Sequence, residues 1–351
     1  MIQGSPGRRV SRTSLIFTGS CSVKVKILTK NLTKRRKFIM RIASEIQTGY
    51  RYKGVRLLLQ KYFETRLEMI ETALKGYLTF PDPHAKELKA AMNQAVFSGG
   101  KRWRPLLLVS IYEMLIGMKK SKMLDSVISA ACAVEIMHNA ALIHDDMPAV
   151  MNKKERRNAP ALHMAYDNTI AILAGDALYT HAFGVLADIK DPRKAVQAVR
   201  ILSNYSMSYG LIGGQAVALI NKRKVMKINT LRYIDSKKTG ALLQAASDIA
   251  CVMADADENT RQIMGSYALN LALAQQMIDD IAADYGRGSE GLDGEDEFVP
   301  VSRASYTGLL GFDKARKTVE KMLEESERMI KPFPHNDVLV EFIQMIQEKM
   351  P

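Results

Sequence analysis

The feature that most constrains this chain is a long apolar stretch with two charges at its end: Glu135-Ile136-Met137-His138-Asn139-Ala140-Ala141-Leu142-Ile143-His144-Asp145-Asp146-Met147-Pro148. A run of this kind reads as a buried helix, yet its last turn carries adjacent aspartates that repel each other unless a cation or water lies between them. The arrangement occurs twice. Leu271 to Asp280 closes a second apolar helical run with Asp279 and Asp280, and Asp284 lies one turn further on. Either pair alone reads as a solvated turn. Both together, each ending a buried-looking helix, suit hard divalent cations that bridge phosphates, because such ions take one or two carboxylates each plus substrate oxygens.

Composition agrees with a helical reading. The chain has 351 residues, 47% of them hydrophobic and only 7% aromatic. Ala, Leu, Ile and Met favour helix over strand, and the length allows a large core in one big domain or two ordinary ones. Cys21, Cys132 and Cys251 are far apart without metal-ligand spacing, so a structural zinc is not expected and a reducing compartment is the default.

The net charge of +13 looks like a nucleic-acid signal until it is located. Residues 1–44 hold eleven Lys or Arg and no acid; taking these away leaves about +2 for the rest of the chain. Nucleic acid is therefore not expected as a partner. Residues 1–50 are expected to form a disordered basic arm. This arm resembles an organelle transit peptide, or Met40 is the true start; the two readings imply organelle import or a cytoplasmic location. Lacking eighteen uninterrupted apolar residues, the chain is not expected to span a membrane.

From residue 55 to 351 the apolar spacing predicts one helical domain. Helices are expected near 55–78, 85–97, 105–116, 122–146, 169–187, 194–208, 213–220, 241–254, 259–284, 306–310, 312–330 and 338–349. No strand is expected. The fold class is thus all-α, a single large bundle around a central cavity. Two basic segments stand out. Ser98 to Pro105 (SGGKRWRP) places three cations after a flexible turn, which suits a phosphate cradle as well as a solvated helix start. Asn152 to Arg157 (NKKERR) is either an exposed charged face or a set of arginines aimed at the ligand of the first aspartate pair.

Taken together, these segments resemble the trans-isoprenyl diphosphate synthases, of geranylgeranyl and farnesyl type. The matching stretches are GGKRWRP (99–105), the first aspartate run (135–148), ERR (155–157), LAGDAL (173–178), GGQ (213–215), KTGALLQAAS (238–247) and QMIDDI (276–281). Their order and spacing fit over roughly 290 residues from Leu58 onward. The resemblance implies an isoprenoid synthase-like bundle and head-to-tail condensation of isopentenyl diphosphate with an allylic diphosphate. It implies Mg²⁺, three ions or fewer, with Asp145, Asp146 and Asp279 as metal ligands and Asp280 in support. Arg156 and Lys238 would hold the allylic diphosphate. Lys101, Arg104, His138 and Arg157 would seat isopentenyl diphosphate, while Thr239 and Gln276 would line the reaction centre. A homodimer is implied as well.

Several positions depart from the family pattern. Met151 stands where the first motif has its third aspartate, Ala283 where the second has its own, and Asp284 is displaced by one residue, a turn of about 100° on a helix. Lys153 and Lys154 replace residues that are often acidic, and Ala218, Asp293 and Arg303 also differ. These losses fall on the metal and allylic half. Geometry bears on product length too: Ala140 and Ala141, one turn before Asp145, would leave a tunnel open for roughly another 6 Å, with Met137 as its floor. That favours a C20 product. A class I terpene synthase derived from this fold, and a non-catalytic subunit of a heteromeric synthase, are the competing readings.

Overall fold

Helix-forming runs account for nearly all of the described structure, a few of them started by a capping side chain. The computed structural model describes residues 53–80, 83–221, 226–290 and 305–351, which belong to one unit, Tyr52–Pro351. The expected basic arm, together with Asp293 and Arg303, lies outside the described residues. In chain order the helices are α1 (Lys53–Tyr77), α2 (Lys86–Phe97), α3 (Trp103–Leu115), α4 (Leu124–Asp146), α5 (Leu162–Ala165), α6 (Asn168–Ala187), α7 (Pro192–Ser206), α8 (Leu211–Asn221) and α9 (Ile228–Asp235). A π-helical turn follows (Ser236–Gly240). The remaining helices are α10 (Ala241–Met253), α11 (Glu258–Glu290), α12 (Tyr306–Leu310), α13 (Phe312–Ile330) and α14 (Asp337–Gln347).

α4 is buried on every side, with Val127, Ala131, Val134, Ile136 and Ala140 all fully enclosed. Such a helix belongs in the middle of a fold. It packs against α6, α3, α10 and α1, and α10 in turn packs against α11, α3 and α7. Caps explain where several neighbours begin. The Asp167 carboxylate accepts from the Ile170 amide, and Asp191 caps α7 just before Pro192, which occupies its first turn. α13 shows the opposite pattern to α4: it buries one stripe (Ala315, Val319, Leu323, Ile330) and turns the pairs Arg316–Glu320 and Lys321–Glu325 outward.

The all-α expectation holds, with additions. α9, α5 and the π turn were not anticipated. A two-residue antiparallel ribbon, β1 (Glu155–Arg156) with β2 (Ala159–Pro160), corrects the expectation of no strand. Arg157 and Asn158 at its tip take positive φ, 55° and 59°, which a charged six-residue segment does not announce. Among the described residues two helices, α4 and α6, are long and apolar enough to cross a membrane by length and composition. Neither is an uninterrupted apolar run, because charged and polar residues break both. α4 is 78% buried within the fold and α6 39%.

Candidate active site

The turn after α2 is built around Arg102. This residue takes a left-handed φ of 52° and lies 2% exposed. Its Nε donates to Glu71 at 3.0 Å, its Nη1 to Glu135 at 2.7 Å and its Nη2 to the Val96 carbonyl. One of the three cations read as a phosphate cradle is therefore a bolt joining α1, α2 and α4. Its neighbours do other things. Lys101 is exposed on the turn, whereas Arg104, on the first turn of α3, reaches inward to His138.

Arg104 Nη1 lies 3.2 Å from His138 Nε2. A guanidinium can only donate, so Nε2 accepts and the imidazole is neutral with its proton on Nδ1. Burial, and then the positive field of Arg104, Arg157, Arg102 and Arg156, holds the His138 pKa well below its usual value. Burial also lowers the pKa of Arg104 and brings that of Arg157 down to about 10. Arg104 Nε is buried without a hydrogen-bond partner, and an orphaned charged donor is costly unless an anion meets it. Arg157 is held by the Gly99 carbonyl and by Asn139 Oδ1 at 3.1 Å, and it packs against Gly100, where a Cβ would lie 3.0 Å from its Cζ.

The end of α4 delivers the first aspartate pair. The chain then folds back, Met151 N donating to the Asp145 carbonyl at 3.1 Å, so that the ribbon brings Arg156 onto Asp146. Arg156 donates twice to that carboxylate, from Nε at 2.8 Å and from Nη2. Asp145 points instead toward Lys238, with Oδ2 3.6 Å from Nζ. Burial raises the Asp145 pKa, opposed by Lys238, Arg156 and Lys153 and reinforced by Asp146.

Lys238 and Thr239 are presented by the π turn, a widened turn of a type frequent at functional sites. Gly214 explains how α8 approaches that turn: a Cβ there would stand 2.6 Å from Lys237 Cβ and 2.7 Å from Lys238 N. Gly175 makes room in the same way for the His144 ring, whose Nε2 lies 3.5 Å from Asp176. Gly214 of the GGQ stretch and Gly175 of the LAGDAL stretch are thus clearance for neighbours of the site.

Arg104, His138, Asp145, Lys238 and Thr239 share one cavity of about 430 Å³, a normal size for a ligand site. Sequence reasoning missed three of its walls: Gln215, whose Nε2 and Oε1 are both buried without partners, Tyr179, and the apolar face of α8 (Leu211, Ile212, Leu219). Gln215 was readable in principle from the GGQ stretch. Arg156, Arg157 and Asp146 line a separate recess of about 30 Å³ beside it.

The second aspartate pair joins this cavity through a relay. Thr239 Oγ1 donates to Gln276 Oε1 at 3.5 Å, and Gln276 Nε2 donates to Asp280 Oδ1 at 3.2 Å. Asp280 Oδ2 also accepts from the Tyr306 amide at 3.0 Å. Asp279 is exposed and accepts from Gln275 at 2.7 Å. Neither Asp279 nor Asp280 lines the cavity itself. Asp284 is turned away, buried, and bound by the hydroxyls of Ser305 and Thr307. It fastens α12 to α11.

Against known proteins, residues 85–293 match the polyprenyl synthetase family. The chain belongs to the polyprenyl synthetase family. A dimethylallyltranstransferase of Fischerella ambigua is 35% identical over 78% of this chain and 79% of its own length. Geranylgeranyl pyrophosphate synthase 3 of Arabidopsis thaliana is 32% identical over 78% and 76%. A geranyltransferase from Helicobacter pylori, solved in complex with magnesium and isoprenyl diphosphate, superposes with a TM-score of 0.69 at 27% identity, covering 82% of this chain and 95% of that one. This polyprenyl synthetase is a prenyltransferase, and it carries out head-to-tail transfer onto prenyl diphosphate substrates as a short-chain synthase does.

Among the described residues no three acids, histidines or cysteines converge as a ready-made cage. Mg²⁺ seldom uses such a cage; it takes one or two carboxylates and completes its shell with water and substrate phosphate. Asp145 at the cavity wall and exposed Asp279 fit that role, with Asp146 behind Arg156. The product tunnel needs a correction. Ala141 lines the cavity, but Ala140 and Met137 are fully buried in the core and do not. Ala140 is rotated about 100° round α4 from Ala141, and Met137, on the same stripe one turn below Ala141, lies beneath the cavity lining.

Proposed function

We propose that this chain condenses isopentenyl diphosphate with an allylic diphosphate to give geranylgeranyl diphosphate, using Mg²⁺ held by Asp145, Asp146 and Asp279. One observation carries the reading: the Arg104–His138 pair, with an unmet buried guanidinium N–H, opens into the same cavity as the Asp145–Lys238 pair. Two diphosphates need two cationic seats, and these lie side by side. Bound Mg²⁺, up to three ions, supplies charge neutralisation to the departing diphosphate.

The protein's own residues do the rest. Lys238 and Arg156 hold the allylic diphosphate and favour the charge that grows on it as the C–O bond breaks. Arg104, Arg157 and Lys101 seat the second diphosphate. Neutral His138 accepts from Arg104 and donates from Nδ1, which leaves the seat's charge to the guanidinium groups. Thr239 and Gln215 place oxygens at the cavity wall beside the electron-poor carbon, and Gln276 holds the Thr239 hydroxyl in place. The isopentenyl double bond attacks that carbon, and the proton then lost passes to the released diphosphate.

Small Ala141 below Asp145 and the apolar wall of α8 favour a C20 tail, although relatives carry farnesyl as well as geranylgeranyl names. We also propose a homodimer. The outer face of α6 exposes Ile172 by 44% and Leu173 by 47%, an apolar surface that a second copy would cover.

The test is incubation with Mg²⁺ and farnesyl diphosphate, with and without isopentenyl diphosphate, followed by analysis of the extract. A C20 diphosphate formed only with both substrates is expected. A terpene hydrocarbon or alcohol from farnesyl diphosphate alone would overturn the proposal, and a C15 product from geranyl diphosphate with no further extension would overturn the chain length.

A further inference from the structure

A second cavity, about 620 Å³, is walled by α9, the π turn, α11, α12 and α13, and shares no lining residue with the catalytic one. Its chemistry is two-sided. Arg232 and Lys321 stand exposed at it, with Glu325 only loosely engaged, 3.8 Å from Lys321 Nζ. Behind them Leu273, Met277 and Met322 form an apolar wall.

At the cavity wall lies a phenol that is 1% exposed, Tyr306, whose Oη makes no hydrogen bond of normal geometry. Asp235 faces it and the two side chains interact directly, the hydroxyl favouring the carboxylate and the carboxylate holding the hydroxyl protonated, although neither Tyr306 Oη nor Asp235 Oδ2 reaches good hydrogen-bond geometry. Tyr306 is thus directed at Asp235, and its ring forms part of the inner wall of the cavity.

We propose that this cavity binds an amphipathic phosphate with a short isoprenoid tail, distinct from the substrates in the catalytic cavity. Arg232 and Lys321 take the phosphate. The tail lies on the two thioethers and Leu273. The Tyr306 ring closes the inner wall beside the tail.

Occupancy is coupled to catalysis because the ligand touches two segments that position it. The Tyr306 amide holds Asp280, and Ser236 belongs to the turn that presents Lys238. This coupling rests on the function proposed above; the binding does not.

The experiment is calorimetric titration of geranyl monophosphate into the full chain with its catalytic cavity saturated by Mg²⁺ and dimethylallyl thiolodiphosphate, a non-ionising substrate analogue. A further saturable site is expected, weakened about tenfold or more by Arg232→Glu, which removes a charge-assisted contact at an exposed position, and abolished by Met322→Trp. Added geranyl monophosphate should also shift the Mg²⁺ concentration for half-maximal turnover in the wild type and not in Arg232→Glu. The proposal fails if no further site appears, if Arg232→Glu binds as well as wild type, or if inorganic phosphate binds as tightly as the prenyl phosphate. An inactive enzyme that still shows the site would refute the catalytic reading and leave this one standing.

Discussion

The two aspartate pairs sit in unlike surroundings. At the end of α4 the partners are cations: Arg156 chelates Asp146 and Lys238 stands 3.6 Å from Asp145. On α11 the partners are neutral donors: Gln275 for Asp279, and Gln276 with the Tyr306 amide for Asp280. Charge is already balanced at the first pair and not at the second. A cation entering the first pair must compete with a guanidinium and an ammonium, whereas the second offers it carboxylates held in place by groups that carry no charge. An incoming diphosphate finds the reverse. The difference suggests a division of labour in which the α4 side grips phosphate and the α11 side favours metal.

The strongest way to break this contrast is to remove the charges of each side in turn. Lys238→Met should lower turnover about 10³-fold, the scale seen when a donor to developing negative charge is lost, and should tighten Mg²⁺ binding in the absence of substrate because Asp145 is freed. Asp279→Asn should lower turnover comparably and weaken Mg²⁺ binding instead. Metal titration followed calorimetrically separates them. If both variants shift Mg²⁺ affinity in the same direction, the division of labour is wrong.

Next in size is Arg104→Met. With the guanidinium gone, KM for isopentenyl diphosphate should rise about 100-fold, a loss of roughly 3 kcal/mol consistent with a buried charge-assisted contact, while KM for the allylic substrate changes little. Equal effects on both substrates would mean that the two seats are not separate. Ala141→Phe is expected to act more gently, shortening the product at nearly constant turnover, as read by product analysis. Ala140→Phe tests the placement of the two alanines: it should lower stability by overpacking the core without changing which product is made.

What the sequence revealed and what it hid follow the same line. Long periodic helices such as 122–146 and 312–330 were legible because burial on all sides, or on one stripe, writes itself into the residue pattern. The identity of the site was legible from ordered short stretches. The direction of side chains was not. Arg102 and Arg104 look alike in SGGKRWRP, yet a left-handed φ at Arg102 sends one guanidinium into the core and leaves the other at the cavity. Ala140 and Ala141 differ by one helical step, and of the two only Ala141 lines the cavity. The displaced Asp284 was read correctly as rotated off the motif; its use as a fastener for α12 depends on Ser305 and Thr307, some twenty residues on, and no local pattern signals that contact.

The smallest effect expected tests the seam between the two cavities. Burial, reinforced by Asp280 and opposed by Tyr306 and Lys238, raises the Asp235 pKa from its usual 3.8 to about 7. A carboxyl whose folded value lies above its unfolded one favours the fold fully below about pH 4 and loses that contribution as the pH rises through 7. Asp235→Asn keeps the shape and removes the charge. Its melting temperature, measured with chelator present, should match wild type near pH 4 and exceed it by a few degrees at pH 8.5. An equal or lower melting temperature at pH 8.5 would mean that the Tyr306 hydroxyl already stabilises the carboxylate, and that the seam is satisfied without a ligand.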